Sequence, residues 1–376
     1  MVRTEDRSFK HKEFHFSLPF SPDPLILSLA NNEGFSSLDD NLLVSDLVAK
    51  VKELSEGKEF HTFSFGILLN PKKAPNGEVL SRASKEVLKR FKQGLIPIIA
   101  MEIERKLGKK ADFKAPEAAF LVDFAEKTLF LRLSPVFVYG RYLKFSREIA
   151  QTDFFCVKCG GEGCWYCKNT GFFSKNSVEQ ILSKASAQRF SALGAIIHGA
   201  GREDLDVLML GNGRPFILEI IAPQKRTLSP AELKKFEEQI NKENKGKVEV
   251  RALAFCSEGD VAPLKDFAHE KIYSALVSCP SEPELKLLPI NEKIFVSQKN
   301  PSRVKRRAKI ERKKEVVILR AEKAGEGLFR VELSCSHGTY VKEFISGDGG
   351  KTSPSLSSLL GVLCSCKELD VIKICE

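Results

Sequence analysis

Apolar alternation first becomes regular at "EFHTFSFGILLN", where Phe63, Phe65 and Ile67 fall on one face of an extended segment and predict a strand. A helical spacing follows from about Ser81 to Lys106, and strand patterns return in "AAFLVDF", "TLFLRL" and "PVFVYGRYLKF". Upstream, polar stretches such as "NNEGFSSLDDN" break up short apolar runs, so residues 1–58 give no assignable element. The first 150 residues read as one α+β domain.

A second unit starts after a cysteine-rich stretch, at "NSVE", where Asn176 is the expected helix cap and Glu179 stands three residues later. Residues 214–255 read as strand, "APQKRT" loop, helix and strand. That helix opens with Ser229, Pro230 and Glu232 in capping-box order and closes near Gly246. Residues 315–335 form a predicted hairpin around "AGEG", followed by a short helix and a last strand. The expectation is an α+β domain over residues 176–376 with a mixed, largely antiparallel central sheet.

Length agrees with this division, since 376 residues exceed one ordinary core. With 43% hydrophobic and 29% charged residues the chain is globular and not disordered. A formal charge of +10 favours a polyanionic partner, because Lys and Arg clusters release counterions from phosphates. The N-terminus lacks the apolar core of a signal peptide and no apolar run is long enough to span a membrane, so a cytoplasmic protein is expected. Cysteines in that compartment are metal ligands or buried thiols before they are disulfides.

Four of the ten cysteines are clustered. "CVKCGGEGCWYC" spaces Cys156, Cys159, Cys164 and Cys167 as C-x2-C-x4-C-x2-C, two tight turns that can each offer two thiolates to one tetrahedral Zn2+. A redox C-x2-C pair would need a strand–helix junction, and none surrounds these residues. Four thiolates close the coordination shell, so the zinc is expected to be structural. Residues 151–175 are read as this zinc module.

"HGAGREDLDVLMLGNGRPFILEI" sets Arg202, Glu203, Asp204 and Asp206 in a glycine-rich loop ahead of an apolar strand. The acids do not follow the EF-hand pattern, and "GNGRPF" leads into a strand, which offers no helix N-terminus to a phosphate. Two readings remain, a solvated turn or an active-site loop. Elsewhere "GRYLKFSR" interleaves Arg141 and Lys144 with aromatics, either toward RNA or as one polar face of a strand. Residues 303–314 hold eight cations, including Arg303, Lys305, Arg306 and Arg307, a density suited to phosphate contacts.

Taken together and in order, the segments "SPVFVYGRYLKFSR", "CVKCGGEGCWYC", "GREDLDVLMLGNGRPF", "KIYSALV" and "GTYVKEFISGDGGKTSPSL" resemble the archaeal and eukaryotic tRNA pseudouridine synthases that modify T-loop uridines 54 and 55. The resemblance runs from about residue 134 to the C-terminus and implies a pseudouridine synthase catalytic domain preceded by a THUMP-like RNA-binding domain from about residue 59. It implies Asp204 as the catalytic carboxylate, Tyr273 stacked on the flipped base, Lys342 paired with Asp204, and Arg202 on the nucleotide. Asp206 is the rival nucleophile. Glu203 reads as exposed, and Arg214 and Glu219 as a possible cross-sheet pair.

On this reading tRNA is the partner, no cofactor serves catalysis, and neither a membrane nor an obligate protein partner is expected. The rival is a zinc-containing tRNA-binding or chaperone protein without catalysis. The chain departs from the family pattern at Leu208, where Arg is usual, at Arg306, where His is common, and in lacking an N-terminal cysteine pair.

Overall fold

A computed structural model describes residues 14–17, 38–68, 85–123, 128–153, 156, 158–159, 162–169, 176–266, 268–301 and 311–375. The chain divides into two compact units. The first holds residues 1–136 together with 186–195 and 220–228; the second holds 137–185, 196–219 and 229–376. The division falls at 136/137, where sequence reading had put it at 150/151, because "PVFVYGRYLKF" joins the sheet of the second unit.

In the first unit, strands β1 (Phe14–Ser17), β2 (Thr62–Leu68), β3 (Lys110–Ala111), β4 (Ala118–Asp123) and β5 (Thr128–Leu133) form a sheet of order β1-β5-β4-β2-β3. Phe63, Phe65 and Ile67 alternate inward along β2 as predicted, and meet Phe120 and Val122 of β4. Among the described residues, helices α1 (Leu38–Ser55) and α2 (Lys85–Leu107) accompany this sheet. The second matches its expected range within the described residues. The first was not foreseen: Val44, Leu47, Val48 and Val51 recur at helical spacing and are buried, a stripe obscured by the polar run before it.

The second unit is built on a ten-stranded sheet that includes β6 (Val136–Lys144), β7 (Gly194–Gly199), β8 (Val207–Ile221), β9 (Val248–Cys256), β10 (Lys271–Ser278), β11 (Lys293–Gln298), β12 (Arg312–Gly325), β13 (Leu328–Cys335), β14 (Thr352–Ser353) and β15 (Ser365–Ile374). Their order is β14-β11-β12-β13-β10-β15-β8-β6-β9, with β7 paired to β8. β10 runs antiparallel to both neighbours and β12 antiparallel to β13, whereas β15 runs parallel to β8. The sheet is therefore mixed and largely antiparallel, and the fold class is α+β.

Helix α3 (Val178–Arg189) begins one residue later than expected. Ser177 Oγ, not Asn176, accepts the Gln180 N–H at 3.0 Å and caps the helix. Glu179 is turned inward, where it accepts the Ile197 N–H. Helix α4 (Pro230–Glu243) keeps the expected capping box, with Ser229 N–H donating to Glu232 and Glu232 N–H donating to Ser229 Oγ. Three short helices follow, α5 (Val261–Asp266), α6 (Val341–Ser346) and α7 (Leu356–Leu360). Among the described residues no helix is long and apolar enough to cross a membrane.

Candidate active site and metal centre

The loop 201–206 ends where β8 begins, beside the parallel strand β15. Val207 lies opposite Leu369 and Leu208 opposite Asp370. On the other side of β15, Tyr273 of β10 lies opposite Val371. Helix α6 follows β13 through the turn Ser336–Tyr340 and brings Lys342 over the same end of the sheet. These elements enclose a cavity of about 390 Å3 whose lining includes Arg202, Asp204, Lys271, Tyr273, His337 and Lys342, with Val207, Leu369 and Val371 as its apolar wall.

Arg202 and Asp204 of the loop, Tyr273 of β10 and Lys342 of α6, drawn from three separate segments of the chain, therefore share one concavity. Lys342 Nζ lies 3.4 Å from Asp204 Oδ2 but closer to Asp206, at 2.7 and 2.8 Å from its two carboxylate oxygens. Asp206 does not line the cavity. Burial would raise its pKa, but the hydrogen bond and charge of Lys342 outweigh that and hold the carboxyl below its ordinary value. Burial pushes the Tyr273 hydroxyl up, so this ring meets the cavity as a neutral phenol.

Beneath the loop is a buried polar network that sequence reasoning missed. Glu203 is not exposed: its side chain is 1% accessible and forms an ion pair of 2.8 Å with Arg214, itself 2% accessible. Tyr142 Oη donates to Glu203 at 2.8 Å, and Gln151 donates to Tyr142 Oη and to the carbonyl of Gly201. Arg214 also donates to the Ala200 carbonyl at 2.7 Å. The loop backbone is thus tied down on both sides of Gly201. Glu219 pairs with His198 at 2.8 Å and not with Arg214.

Lys144 belongs to this network and cannot face RNA as expected. It is fully buried, and its ammonium donates to the carbonyls of Ile149 (2.7 Å) and Leu205 (2.8 Å), which anchors the far end of the loop. Burial lowers its pKa to about 8. Arg141 is spent on backbone as well, donating to the carbonyls of Asn212 and Gly213. The signal for Lys144 lay in its spacing: on a strand it shares a face with Tyr142, and both are buried.

Lys271 is 7% exposed and reaches the cavity two residues before Tyr273 on β10. Burial, then the charge of Arg214, brings its pKa to about 8. Gly201 makes room for both cations. Its φ is +85°, and a Cβ there would stand 2.9 Å from Lys271 Nζ and 3.0 Å from an Arg214 nitrogen. His337, at the cavity rim, is shifted below its usual pKa by burial and then by Lys271 and Lys314. Arg303, Lys305, Arg306 and Arg307 lie outside the described residues.

Cys156, Cys159, Cys164 and Cys167 converge, with all four Sγ atoms within 4.8 Å of one another. The Cys156–Cys164, Cys159–Cys167 and Cys164–Cys167 separations are 3.7, 3.8 and 3.8 Å. A tetrahedron with Zn–S bonds of about 2.3 Å has edges of roughly 3.8 Å, so the donor set fits a tetrahedral thiolate-bound ion. The Gly163 and Cys164 amides donate to the sulfurs of Cys159 and Cys167, the hydrogen bonds that stabilise thiolate charge.

The family model described as "Pus10, C-terminal" matches residues 137–375. The "tRNA pseudouridine synthase Pus10" of Methanocaldococcus jannaschii is 42% identical over 274 residues, 72% of this chain and 59% of that protein. The protein of the same name from Korarchaeum cryptofilum is 36% identical over 370 residues, 94% of this chain and 98% of that one. A chain in the crystal structure of a Cbf5-Nop10-Gar1 complex covers 50% of this chain and 42% of its own at 16% identity, with a TM-score of 0.28 that is too low to bear on the fold.

Proposed function

Since the chain belongs to the Pus10 family, we propose that it is a tRNA pseudouridine synthase that isomerises T-loop uridine, at position 55 and at 54, with Asp204 as nucleophile. The observation that carries this reading is the meeting of Asp204 with Tyr273 and Lys342 in one cavity. Asp204 is preferred to Asp206 because it lines that cavity, while Asp206 is bound edge-on by Lys342 outside it.

Each side chain has a physical task. A uridine inside folded RNA must leave its stack to be reached, and the Tyr273 ring offers a face for the extruded base. The Lys342 ammonium lies 3.4 Å from Asp204 and sets a positive charge beside the nucleophilic carboxylate. Arg202 contacts the flipped nucleotide. One glycosidic bond is broken and one is remade between the same base and ribose, so no redox equivalent or phosphate is consumed.

Zinc is the metal we assign to the four cysteines, which would hold it with a closed coordination shell. It supplies folding energy to that segment and takes no part in the reaction. The first unit is assigned as the THUMP-like module that grips the tRNA body, and the basic stretch 303–314 contacts phosphates, in a protein acting in the cytoplasm.

Incubating unmodified tRNA transcript with the protein, without added cofactor, and mapping pseudouridine chemically tests the proposal. Conversion at 55 and 54 is expected. Binding of the transcript without conversion at any uridine would leave a tRNA-binding protein and end the catalytic reading.

A further inference from the structure

Trp165, the only tryptophan of the chain, is 76% exposed on the short turn Trp165–Cys167 that carries the last ligand of the cysteine cluster. Tyr166 packs against it edge-on, with ring centroids 5.7 Å apart and planes inclined by 75°. Lys158 lies over both rings, 4.0 Å from the Trp165 centroid and 4.7 Å from that of Tyr166. We propose that Trp165, steadied by the metal-bound turn and flanked by Lys158, is a stacking platform for an unpaired nucleobase of the tRNA, separate from the catalytic cavity.

Rigidity is the first argument. Trp165 immediately follows one cysteine ligand and stands two residues before another, and the turn is closed by the Cys167 N–H on the Cys164 carbonyl at 3.2 Å. An exposed ring held this way loses little conformational freedom when a base stacks on it. The indole supplies none of the four converging sulfur atoms and projects into solvent, 76% exposed.

The occupant follows from size and charge. Trp165 and Tyr166 together leave only roughly 200–300 Å2 of ring surface open, well short of the roughly 800 Å2 each partner gives to a stable protein interface. One nucleobase is a match for one ring face. With Lys158 against one face of the indole, a base can take the other, and the same ammonium is then near the phosphate that follows the base. Lys168 adds a second cation on this turn, in a chain of net charge +10.

This inference rests on tRNA as the ligand, but its test does not require turnover. Titrating unmodified tRNA transcript into the zinc-loaded protein, while following Trp165 emission, reports on the platform directly because no other tryptophan contributes. Quenching is expected with tRNA and with a single-stranded oligonucleotide. A duplex of equal length should quench little. Trp165→Ala should raise the Kd for tRNA by about 5- to 150-fold, equivalent to about 1–3 kcal/mol, with Trp165→Phe restoring most of the loss.

Metal content equal to wild type in both variants shows that the turn is intact, and conversion at saturating tRNA should be unchanged. The platform is overturned if tRNA binds with emission and Trp165→Ala affinity both unaltered, or if duplex quenches as strongly as single strand. Quenching and weakened binding in a protein that makes no pseudouridine would uphold the platform and defeat the catalytic reading instead.

Discussion

Lys342 Nζ stands 2.7 and 2.8 Å from the two carboxylate oxygens of Asp206 and 3.4 Å from Oδ2 of Asp204, so one ammonium bridges both acids of the loop. Asp206, which holds that ammonium through both oxygens, is thereby placed to orient Lys342 beside Asp204. Asp206→Asn weakens that hold without emptying the site. The expected result is a fall in kcat of roughly 10²-fold, the scale of a 1 Å misplacement, with KM for tRNA little changed. An unchanged kcat would remove Asp206 from the machinery.

Glu203 and Arg214 make a buried pair that neither residue can leave singly. Arg214→Met strands the Glu203 carboxylate in the interior, and losing one partner of such a pair costs roughly 3–5 kcal/mol. Thermal unfolding should show the loss. The double variant Glu203→Gln, Arg214→Met should be more stable than Arg214→Met alone, since no unpaired charge then remains.

Gly201→Ala tests the crowding above that pair. The backbone is left-handed there, and the new methyl group would press on Lys271 and Arg214. We expect destabilisation of more than about 1 kcal/mol together with reduced turnover. Equal stability in denaturant melts would refute the tight fit.

Lys271 gives a pH dependence of definite sign. Its pKa is held near 8 in the fold by burial, against about 10.4 in an unfolded chain. Between these values the unfolded chain binds more protons, so this residue makes stability rise with pH, and its cost is fully present below pH 8. Lys144 acts in the same direction. Lys271→Met should therefore be more stable than wild type at pH 7, by a margin that shrinks from pH 8 to 10. A margin independent of pH would contradict the assignment.

Much of this organisation could be read along the chain. The capping box at Ser229, the hairpin of β12 and β13, and the cysteine spacing are local signals and stand where periodicity and spacing predict. The gathering of Asp204, Tyr273 and Lys342 needed several motifs read in order, since no local rule joins residues so far apart. Glu203, Arg214, Lys144 and Lys271 were misread or overlooked because polar side chains are expected outside, and their burial depends on partners from other strands. The helix α1 was missed for a different reason, a polar run that masked a regular apolar stripe.

Chemical mapping of pseudouridine in unmodified tRNA, after incubation with wild type and with Asp204→Asn, a change that keeps shape but removes the nucleophilic charge, tests Asp204 as the nucleophile. Wild type should convert the T-loop uridines, and Asp204→Asn should bind tRNA with similar affinity and convert none. Conversion by Asp204→Asn at the wild-type rate would exclude Asp204 as the nucleophile.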